Sequence, residues 1–321
     1  MKASIIIPTF GNRSEYLWDT MRSTQNQDFS APLFEILVVD NSPQSSALSL
    51  VEKANRDGKH PVRYVRENNL GLHFARHAGA RAALGEIVVY VDDDVLMNPD
   101  WLKFIVEPFR DPRVGATGGK IIVQFDGDVP NWVSQFNLGL FGQLDYGKEQ
   151  INLKPTQDVF GANMAVRKSV LFEVKGFNPD GIGNKKLIWM RGDGECGLNA
   201  KIYESGYSIV YIPEAWIYHR ISAQRLTPES FYWKVFLNGI QDSFRRVRRI
   251  RNQRFLIPNL VVYSFYCFLK TAYKYCESLI KRKNRHPVRA RAWYWYGKGQ
   301  HQLRTVFSRK LREHVFRDSY L

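Results

Sequence analysis

The sequence has few cysteines and no long apolar run. Its 321 residues include only Cys196, Cys267 and Cys276, an odd number without the spacing typical of disulfides or zinc sites. We therefore expect a reducing compartment. The apolar start at 5–7 is ended by Pro8, which is too early for the core of a secretory signal. These shortages favour a cytoplasmic protein without structural disulfides.

Two glycine-rich phosphate-binding patterns are also missing. No G-x-G-x-x-G follows the first predicted strand, and no G-x-x-x-x-G-K-[ST] occurs in the chain. Their absence disfavours dinucleotide-dependent oxidoreductases and P-loop NTPases. A nucleotide could still bind if a metal ion, rather than a glycine loop, held its phosphates.

Apolar segments alternate with amphipathic ones in the first third of the chain. This alternation predicts an α/β fold with a mostly parallel sheet and right-handed crossovers. Ligands bind beyond the carboxyl ends of parallel strands, and Pro8-Thr9, Asp40 and Asp92-Asp93-Asp94 follow three predicted strands. The predicted strands are 4–7, 34–39, 62–65 and 86–91, and the predicted helices are 15–26, 45–56 and 72–84.

The aspartate triplet follows the apolar residues 87–91 directly. Like charges this close raise each other's pKa and destabilise the fold unless a cation neutralises them. Carboxylate oxygens suit Mg²⁺ or Mn²⁺. In an extended chain Asp92 and Asp94 point to one side and Asp93 to the other, so one carboxylate can hold metal while another takes a ribose hydroxyl. The alternative is a solvated acidic turn before the helix that starts near Asp100.

Several short motifs stand in an order that resembles the family 2 glycosyltransferases, which have a GT-A fold. The resemblance covers residues 1–222 and implies a nucleotide-sugar half at 1–98 and an acceptor half at 99–222. It implies transfer of a sugar from a nucleoside-diphosphate donor, a UDP-sugar being favoured, with inversion at the anomeric carbon. The motifs are 4–12 (SIIIPTFGN), 36–42 (ILVVDNS), 69–79 (NLGLHFARHAG), 85–95 (GEIVVYVDDDV), 160–168 (FGANMAVRK), 191–198 (RGDGECGL) and 206–219 (GYSIVYIPEAWIYH).

The resemblance also assigns roles on the donor side. Asp94 would bind the divalent cation, Mn²⁺ or Mg²⁺, and His219 matches a histidine that in some members also reaches the metal. The alternative for His219 is a buried histidine that closes a strand, and for Arg76 it is a solvated helix face. His77 stands where the family motif around Arg76 has Asn. The matching donor-binding residues are Pro8, Thr9, Asp40, Arg76, Asp92 and Asp93.

The acidic segment 192–195 (GDGE) provides the candidate general base. Such a base removes the proton of the acceptor hydroxyl as its oxygen attacks the sugar. Asp193 matches the family's catalytic aspartate, while Glu195 matches a nearby acidic residue and is the second candidate. Either could instead cap the helix that follows. The resemblance places Asn163 on the acceptor side, and Trp189 could stack on a sugar ring there or lie in the core.

The net charge of +15 is unevenly distributed. Residues 223–321 contain 22 Lys and Arg against 5 Asp and Glu, whereas 1–222 is nearly neutral. We expect a basic helical extension whose first helix starts at Thr227-Pro228-Glu229. The uncharged run 255–269 is shorter than the ~20 residues that span a bilayer. Basic residues at 281–283 (KRK) and aromatic ones at 293–296 (WYWY) suit the surface of an anionic membrane.

The sequence therefore predicts a metal-dependent glycosyltransferase, peripheral on the inner face of the plasma membrane. Its acceptor would be a saccharide or a lipid-linked saccharide, used in surface polysaccharide biosynthesis. For the extension, a helical bundle packed on the body is the alternative, and no nucleic-acid motif is present. Two other functions stay open for the chain: a nucleotidyltransferase, or a non-catalytic basic protein that binds membrane or nucleic acid.

Overall fold

The structure is a computed structural model that describes residues 2–11, 13–30, 33–136, 138–181, 185–250, 252–281 and 285–321. Asn12 of the first motif, and Arg282 and Lys283 of the basic cluster, lie outside the described residues. Within this part of the chain, nine strands form one sheet in the order β3-β2-β1-β4-β8-β6-β9-β5, with β7 paired to β9. The strands are β1 Ala3–Thr9, β2 Phe34–Asp40, β3 Val62–Arg66, β4 Ile87–Val91, β5 Val95–Met97, β6 Val114–Asp126, β7 Ile151–Asn152, β8 Asn163–Arg167 and β9 Ser208–Ser222.

Helices connect the strands and then continue alone at the carboxyl end. The first three connect parallel strands, as the alternating pattern predicts, and each predicted strand agrees with the observed one within two residues. The helices are α1 Ser14–Gln25, α2 Leu48–Asp57, α3 Leu72–Ala82, α4 Trp101–Val106, α5 Lys168–Glu173, α6 Gly194–Glu204, α7 Pro228–Arg248, α8 Leu256–Ile280, α9 Arg285–Phe307 and α10 Arg309–Val315.

The sheet is buried on both faces, because apolar residues follow one another along its central strands. In β1, Ile5 and Ile7 point into one apolar cluster and Ile6 points into another. All three are fully buried. Continuous apolar strands of this kind are typical of sheets covered by helices on both sides. The predicted α/β architecture is confirmed.

Pairing changes direction in the second half of the sheet. Strands β1 to β4 pair in parallel, whereas β8 is antiparallel to both β4 and β6. The long strand β9 then pairs in parallel with β6 and antiparallel with β5. Because β5 starts one residue after Asp94, the β5–β9 pairing sets which β9 residue lies beside the aspartate triplet.

The carboxyl-terminal helices begin after β9 ends at Ser222, and they pack on the body. The predicted start of α7 is confirmed: the Thr227 hydroxyl accepts a 3.2 Å hydrogen bond from Ser230 N, and Pro228 is the first helical residue. Phe231 and Val235 of α7 share an apolar cluster with Ile221 of β9. Among the described residues, no helix has the length and apolar content that crossing a bilayer requires.

Candidate active site

A cavity of about 700 Å³ opens at the carboxyl ends of β1 and β4. Each strand delivers polar residues there, since the chain leaves the sheet at that edge. Helix α7 forms part of the opposite wall with Lys234, Asn238 and Arg245. Seven of the residues singled out by the sequence line the cavity together: Pro8, Thr9, Asp92, Asp93, Asp94, Glu195 and His219.

Asp93 is the aspartate of the triplet that points back toward β1. Its Oδ2 accepts a 2.6 Å hydrogen bond from the Thr9 hydroxyl. Burial, followed by the neighbouring charge of Asp94, raises the pKa of Asp93 to about 6 against the opposing effects of Arg13 and Thr9. The triplet lies in a turn rather than in extended chain, all three aspartates line the cavity, and Arg13 contacts both Asp93 and Asp94, so the structure does not separate Asp93 from its neighbours as the extended-chain prediction expects.

Asp94 lies at the centre of a charged cluster that three distant segments build. Its Oδ2 pairs with Arg13 and, at 3.1 Å, with Arg225, while its Oδ1 lies 3.4 Å from His219 Nε2. Burial raises the pKa of Asp94, but contact with His219 and the charges of Arg13 and Arg225 outweigh it and lower the pKa to about 2. Asp94 is therefore an ionised, buried carboxylate.

Strand register brings His219 to this cluster. Val95 of β5 is paired with His219 of β9, and Arg220 N donates a 2.9 Å hydrogen bond to the Asp94 carbonyl. Ligand atoms of Asp92, Asp94 and His219 lie within 4.8 Å of one another. Asp94 Oδ1 and His219 Nδ1 are buried without a hydrogen-bond partner among the described residues. Two carboxylates and an imidazole form a donor set that fits Mn²⁺ or Mg²⁺, and the unpartnered polar atoms of Asp94 and His219 are consistent with it.

Arg76 is buried under the cavity floor and joins two of the lining carboxylates. Its guanidinium donates to Glu195 Oε2 at 3.2 Å, lies 3.6 Å from Asp92 Oδ1, and covers the Phe177 ring at 5.1 Å. Burial raises the pKa of Glu195 above its ordinary value by more than the Arg76 charge lowers it. Arg76 is thus a buried positioning group, and the solvated helix face weighed from the sequence is wrong.

Gly161 makes room for the Arg76 head group. A Cβ at position 161 would lie 2.0 Å from Arg76 Nη2. In Gly161→Ala the guanidinium must therefore leave Glu195 and Asp92, and we expect a loss of about 1–3 kcal/mol in the free energy of unfolding. Urea unfolding measures this loss. The loss should shrink in an Arg76→Ala background, and full additivity of the two substitutions would contradict the contact.

Asp193 does not line the cavity, although it lies two residues before Glu195. It is 4% exposed, and its carboxylate accepts a 2.6 Å hydrogen bond from Asn178 Nδ2 and pairs with Arg245 Nε at 3.4 Å. It stands at the N-cap position of α6 without a side-chain cap hydrogen bond. Gly194, with φ of +47°, separates the two acidic residues. The prediction that Asp193 is the base stays a prediction.

Three further sequence-predicted residues lie away from the cavity surface. Asp40 is fully buried and accepts 2.9 Å hydrogen bonds from Ser42 N and Ala47 N, so it holds the turn after β2. Asn163 is fully buried between the Trp101 indole and backbone carbonyls. Trp189 packs under the Arg304 guanidinium at 4.2 Å. The described contacts of all three are structural.

Several cavity residues are not among the candidates that the sequence provides. Arg13, Arg191 and Arg225 come from three separate segments, and each pairs with a lining carboxylate; Arg191, the first residue of the 191–198 motif, meets Asp180 at 2.8 Å. No local pattern marks Arg13 or Arg225, and the motif by itself assigns no role to Arg191. The cavity-lining residues Lys234, Asn238 and Arg245 of α7 recur at helical spacing, but polar residues on a solvated helix face do so as well. Only the packing of α7 on the body shows that these residues face the cavity.

Comparison with known proteins assigns the chain to a family. The sequence model described as Glycosyl transferase family 2 matches residues 4–174, more than half of the chain. The chain belongs to glycosyl transferase family 2. This is the family that the sequence motifs resemble. The match supports the activity of a nucleotide-sugar-dependent glycosyltransferase.

Relatives of this family 2 glycosyltransferase differ in how much they share with it. A glucosyl-dolichyl phosphate glucuronosyltransferase of Haloferax volcanii is 25% identical over 250 residues, 77% of this chain and 77% of the relative. The poly(ribitol-phosphate) beta-N-acetylglucosaminyltransferase TarS of Staphylococcus aureus is 34% identical over 103 residues, 32% of this chain and only 18% of TarS.

Solved structures share the fold. Mannosyltransferase PcManGT from Pyrobaculum calidifontis, in complex with GDP-Man and Mn²⁺, superposes with a TM-score of 0.59 at 17% identity over 96% of this chain and 88% of that one. TarS residues 1–349, in complex with UDP-GlcNAc, gives 0.54 at 19% identity over 95% and 92%. At these identities the likeness establishes the GT-A fold.

Proposed function

We propose that this chain is a metal-dependent, inverting glycosyltransferase that transfers a sugar from a nucleoside-diphosphate donor to a saccharide or lipid-linked acceptor. The observation that carries the proposal is the single cavity that joins the Asp92, Asp94 and His219 cluster to Glu195. A cation site and a carboxylate of raised pKa in one cavity suit proton removal from an acceptor and departure of a diphosphate.

For the donor we propose a UDP-sugar. TarS, which was solved with UDP-GlcNAc and with UDP, supports uridine as the nucleoside of the donor. Pro8, Thr9 and Asn41 line the side of the cavity where the nucleoside would bind. Asp40 would act there indirectly, since its bonds to Ser42 N and Ala47 N fix the turn that presents Asn41.

For the cation we propose Mn²⁺ or Mg²⁺, held by Asp94 and His219 with Asp92 beside them. When bound, the cation would neutralise charge on the diphosphate as its bond to the sugar breaks. Relatives of the same fold, PcManGT and GalNAc-T7, were solved with Mn²⁺. Arg13 and Arg225 pair with Asp94 Oδ2 and leave its Oδ1 toward His219.

For the base we propose Glu195 rather than Asp193, because the Glu195 side chain lines the cavity. The acceptor hydroxyl oxygen forms a bond to the anomeric carbon while that carbon loses its bond to the phosphate oxygen. The hydroxyl proton goes to Glu195, and the electron pair leaves with the diphosphate. Arg76 orients the Glu195 carboxylate and also reaches Asp92. A single displacement of this kind inverts the anomeric centre.

For the acceptor we propose a surface polysaccharide or its lipid-linked precursor. The relatives include a glucosyl-dolichyl phosphate glucuronosyltransferase, a poly(ribitol-phosphate) glycosyltransferase and an O-antigen biosynthesis protein of Myxococcus xanthus. Their names refer to a sugar linked to dolichyl phosphate, to poly(ribitol-phosphate) and to O-antigen biosynthesis. An acceptor of this kind would lie at a membrane.

Thermal unfolding with nucleotides tests the donor site. We expect UDP, among UDP, GDP, dTDP and CMP, to stabilise the protein only in the presence of Mn²⁺ or Mg²⁺. A ligand at about 100 times its dissociation constant adds roughly 2.7 kcal/mol, a shift of a few degrees. Release of UDP from UDP-sugars would then identify the sugar. Release of pyrophosphate from nucleoside triphosphates, without any effect of nucleotide sugars, would instead indicate a nucleotidyltransferase.

Helix α8 supports attachment to a membrane surface. Its inner face is buried through Leu256, Leu260 and Cys267, while its outer face is an apolar stripe without charge. Val262 is 70% exposed, Phe265 65% and Leu269 55%. We call Val262, Phe265, Leu269 and Ile280 the α8 stripe. A stripe of this kind suits an interfacial helix.

Charge complementarity selects the partner of the α8 stripe. Exposed cations stand at both ends of the helix, Arg254 before it and Lys281, which pairs with Glu277 at 2.8 Å, after it, and Arg285 and Arg291 are exposed on the following helix α9. The extension as a whole has 22 Lys and Arg against 5 Asp and Glu. An apolar helix face bordered by cations fits the anionic lipids of a cytoplasmic leaflet. We propose that the protein binds this leaflet peripherally through α8.

Sedimentation with vesicles tests this attachment. The wild-type protein should bind phosphatidylglycerol vesicles, bind phosphatidylcholine vesicles weakly, and lose binding as salt rises. Replacing Val262, Phe265 and Leu269 together by serine should lower the partition coefficient at least about tenfold, since each buried apolar side chain contributes about 1.5–3 kcal/mol.

The matched control replaces three exposed apolar residues of the body, Leu48, Leu84 and Val129, by serine. This control should bind like wild type. Equal binding of the α8 variant and wild type would contradict the attachment. So would a wild-type dimer that only the α8 variant splits into monomers, because the stripe would then cover a second copy.

A further inference from the structure

Helix α7 presents a polar stripe to the cavity and packs much of its remaining surface against the protein. Lys234, Asn238, Gln241, Asp242 and Arg245 line the cavity at helical spacing. Buried apolar residues of α7, such as Phe236, Ile240 and Phe244, pack on the body and on α9. Polar side chains that face inward from a packed helix lose hydration, so each requires a partner.

Most cations around this polar stripe have a carboxylate partner. Arg225 pairs with Asp94 at 3.1 Å, Arg191 with Asp180 at 2.8 Å, and Arg245 with Asp193 at 3.4 Å. Lys234 makes no hydrogen bond or ion pair with any residue that the structure describes. The acidic neighbour on its own helix, Asp242, is engaged by Tyr294 and Lys298.

Lys234 is therefore a partly buried amine with like charges beside it. Burial, followed by the charges of Arg225 and Arg191, lowers the pKa of Lys234 to about 8, and each of these two charges has more effect on it than Asp94 or Asp92. The positive potential at Lys234 thus exceeds what the aspartates on the other side of the cavity offset. An anion placed among the three cations would remove this imbalance.

We propose that Lys234, together with Arg225 and Arg191, binds a phosphate group of a substrate in this cavity. All three line one cavity, and an ammonium and two guanidinium groups there supply the charged donors that phosphate oxygens accept. The site lies outside the segment matched by the family, since α7 begins at Pro228 and the match ends at residue 174. This inference deepens the proposed function and rests on it.

Two substrates could provide that phosphate. Arg225 contacts Asp94, so the site borders the place proposed for the donor diphosphate. Arg191 pairs with Asp180, and it lines the same cavity as Glu195, the proposed base, where a phosphorylated acceptor would bind. The chemistry is the same in both cases, and binding measurements separate them.

Isothermal titration of the full chain with Mn²⁺ tests the site. The probes are UDP, UMP and inorganic pyrophosphate, the last added both alone and to protein saturated with UDP. The variants are Lys234→Met, which keeps the length of the side chain without its charge, and Lys234→Arg, which keeps the charge. Lys148→Met, an exposed lysine outside the cavity, is the matched control.

Each outcome has one meaning. If Lys234→Met weakens UDP at least tenfold, or about 1.4 kcal/mol, but leaves UMP unchanged, the site binds the donor diphosphate. If UDP is unchanged but pyrophosphate binding to the UDP-saturated protein weakens tenfold, the site binds a phosphorylated acceptor. Lys234→Arg should bind like wild type in either case.

The proposal is overturned if Lys234→Met binds all probes like wild type and Lys148→Met. A failure of the proposed function gives a different result, in which wild-type protein binds no nucleoside diphosphate at all. Pyrophosphate added alone still tests Lys234 in that case, because it requires no nucleoside. Circular dichroism of each variant checks that α7 is intact.

Discussion

Asp94→Ala should abolish the stabilisation by nucleoside diphosphate and cation together and reduce sugar transfer by more than about a thousandfold. Asp94 is the most buried carboxylate of the triplet, its Oδ1 has no hydrogen-bond partner among the described residues, and ligand atoms of Asp92, Asp94 and His219 lie within 4.8 Å of one another. Without it the cation keeps one carboxylate and one imidazole, and charge on the departing diphosphate is no longer offset. Thermal unfolding with UDP and Mn²⁺ and a transfer assay measure the two effects.

Folding must be separated from metal binding in this test. Removal of the carboxylate takes away the ion-pair partner of Arg225 and leaves Arg13 only Asp93 at 3.6 Å, which costs stability. Asp94→Asn keeps the shape and two polar contacts, and it should also lose the effect of the cation. Asp111→Ala removes an aspartate paired only with the exposed Arg113 side chain and the loop around it, and should change neither readout. A nucleotide shift that still depends on Mn²⁺ in folded Asp94→Asn would contradict the metal site.

Glu195→Gln should lower the rate of transfer by about 10²- to 10⁴-fold while nucleotide binding stays intact. This range is the contribution expected of a positioned general base. Glutamine keeps a hydrogen bond to Arg76 but cannot accept the acceptor's proton. Burial raises the pKa of Glu195 above 4.5, the ordinary pKa of a glutamate. The acid limb of the pH profile of kcat/KM should therefore have its midpoint at a pH above 4.5. At lower pH the rate should fall, because the base is protonated.

Asp193→Asn is the matched comparison for Glu195→Gln. Asp193 lies under the cavity surface between Asn178 and Arg245, so its substitution should mainly lower the free energy of unfolding, by about 1–3 kcal/mol. Transfer per folded molecule should fall much less than in Glu195→Gln. The reverse order, with a folded Asp193→Asn protein inactive and Glu195→Gln active, would restore Asp193 as the base.

Asp193 and Glu195 illustrate the limit of a sequence motif: it locates the segment beside the active site but does not identify which carboxylate acts as the base. The GDGE segment is adjacent to the cavity, as its glycines and acidic residues indicate. Which carboxylate reaches the cavity depends on how α6 is rotated at its start. That rotation depends on Gly194 in the left-handed region and on contacts with Arg76 and Arg245, which come from other parts of the chain.

The sequence by itself determined the first half of the sheet, the position of the aspartate triplet at a strand end and the start of α7. These features depend on local apolar periodicity, turn residues and capping, which neighbouring residues alone express. Only the tertiary structure decided that Asn163 is fully buried, that Trp189 packs under Arg304, that Arg76 is buried, and that Lys234 reaches the cavity. Such outcomes depend on strand register and on helices packing across long sequence separations, and no local pattern records which distant side chains will meet.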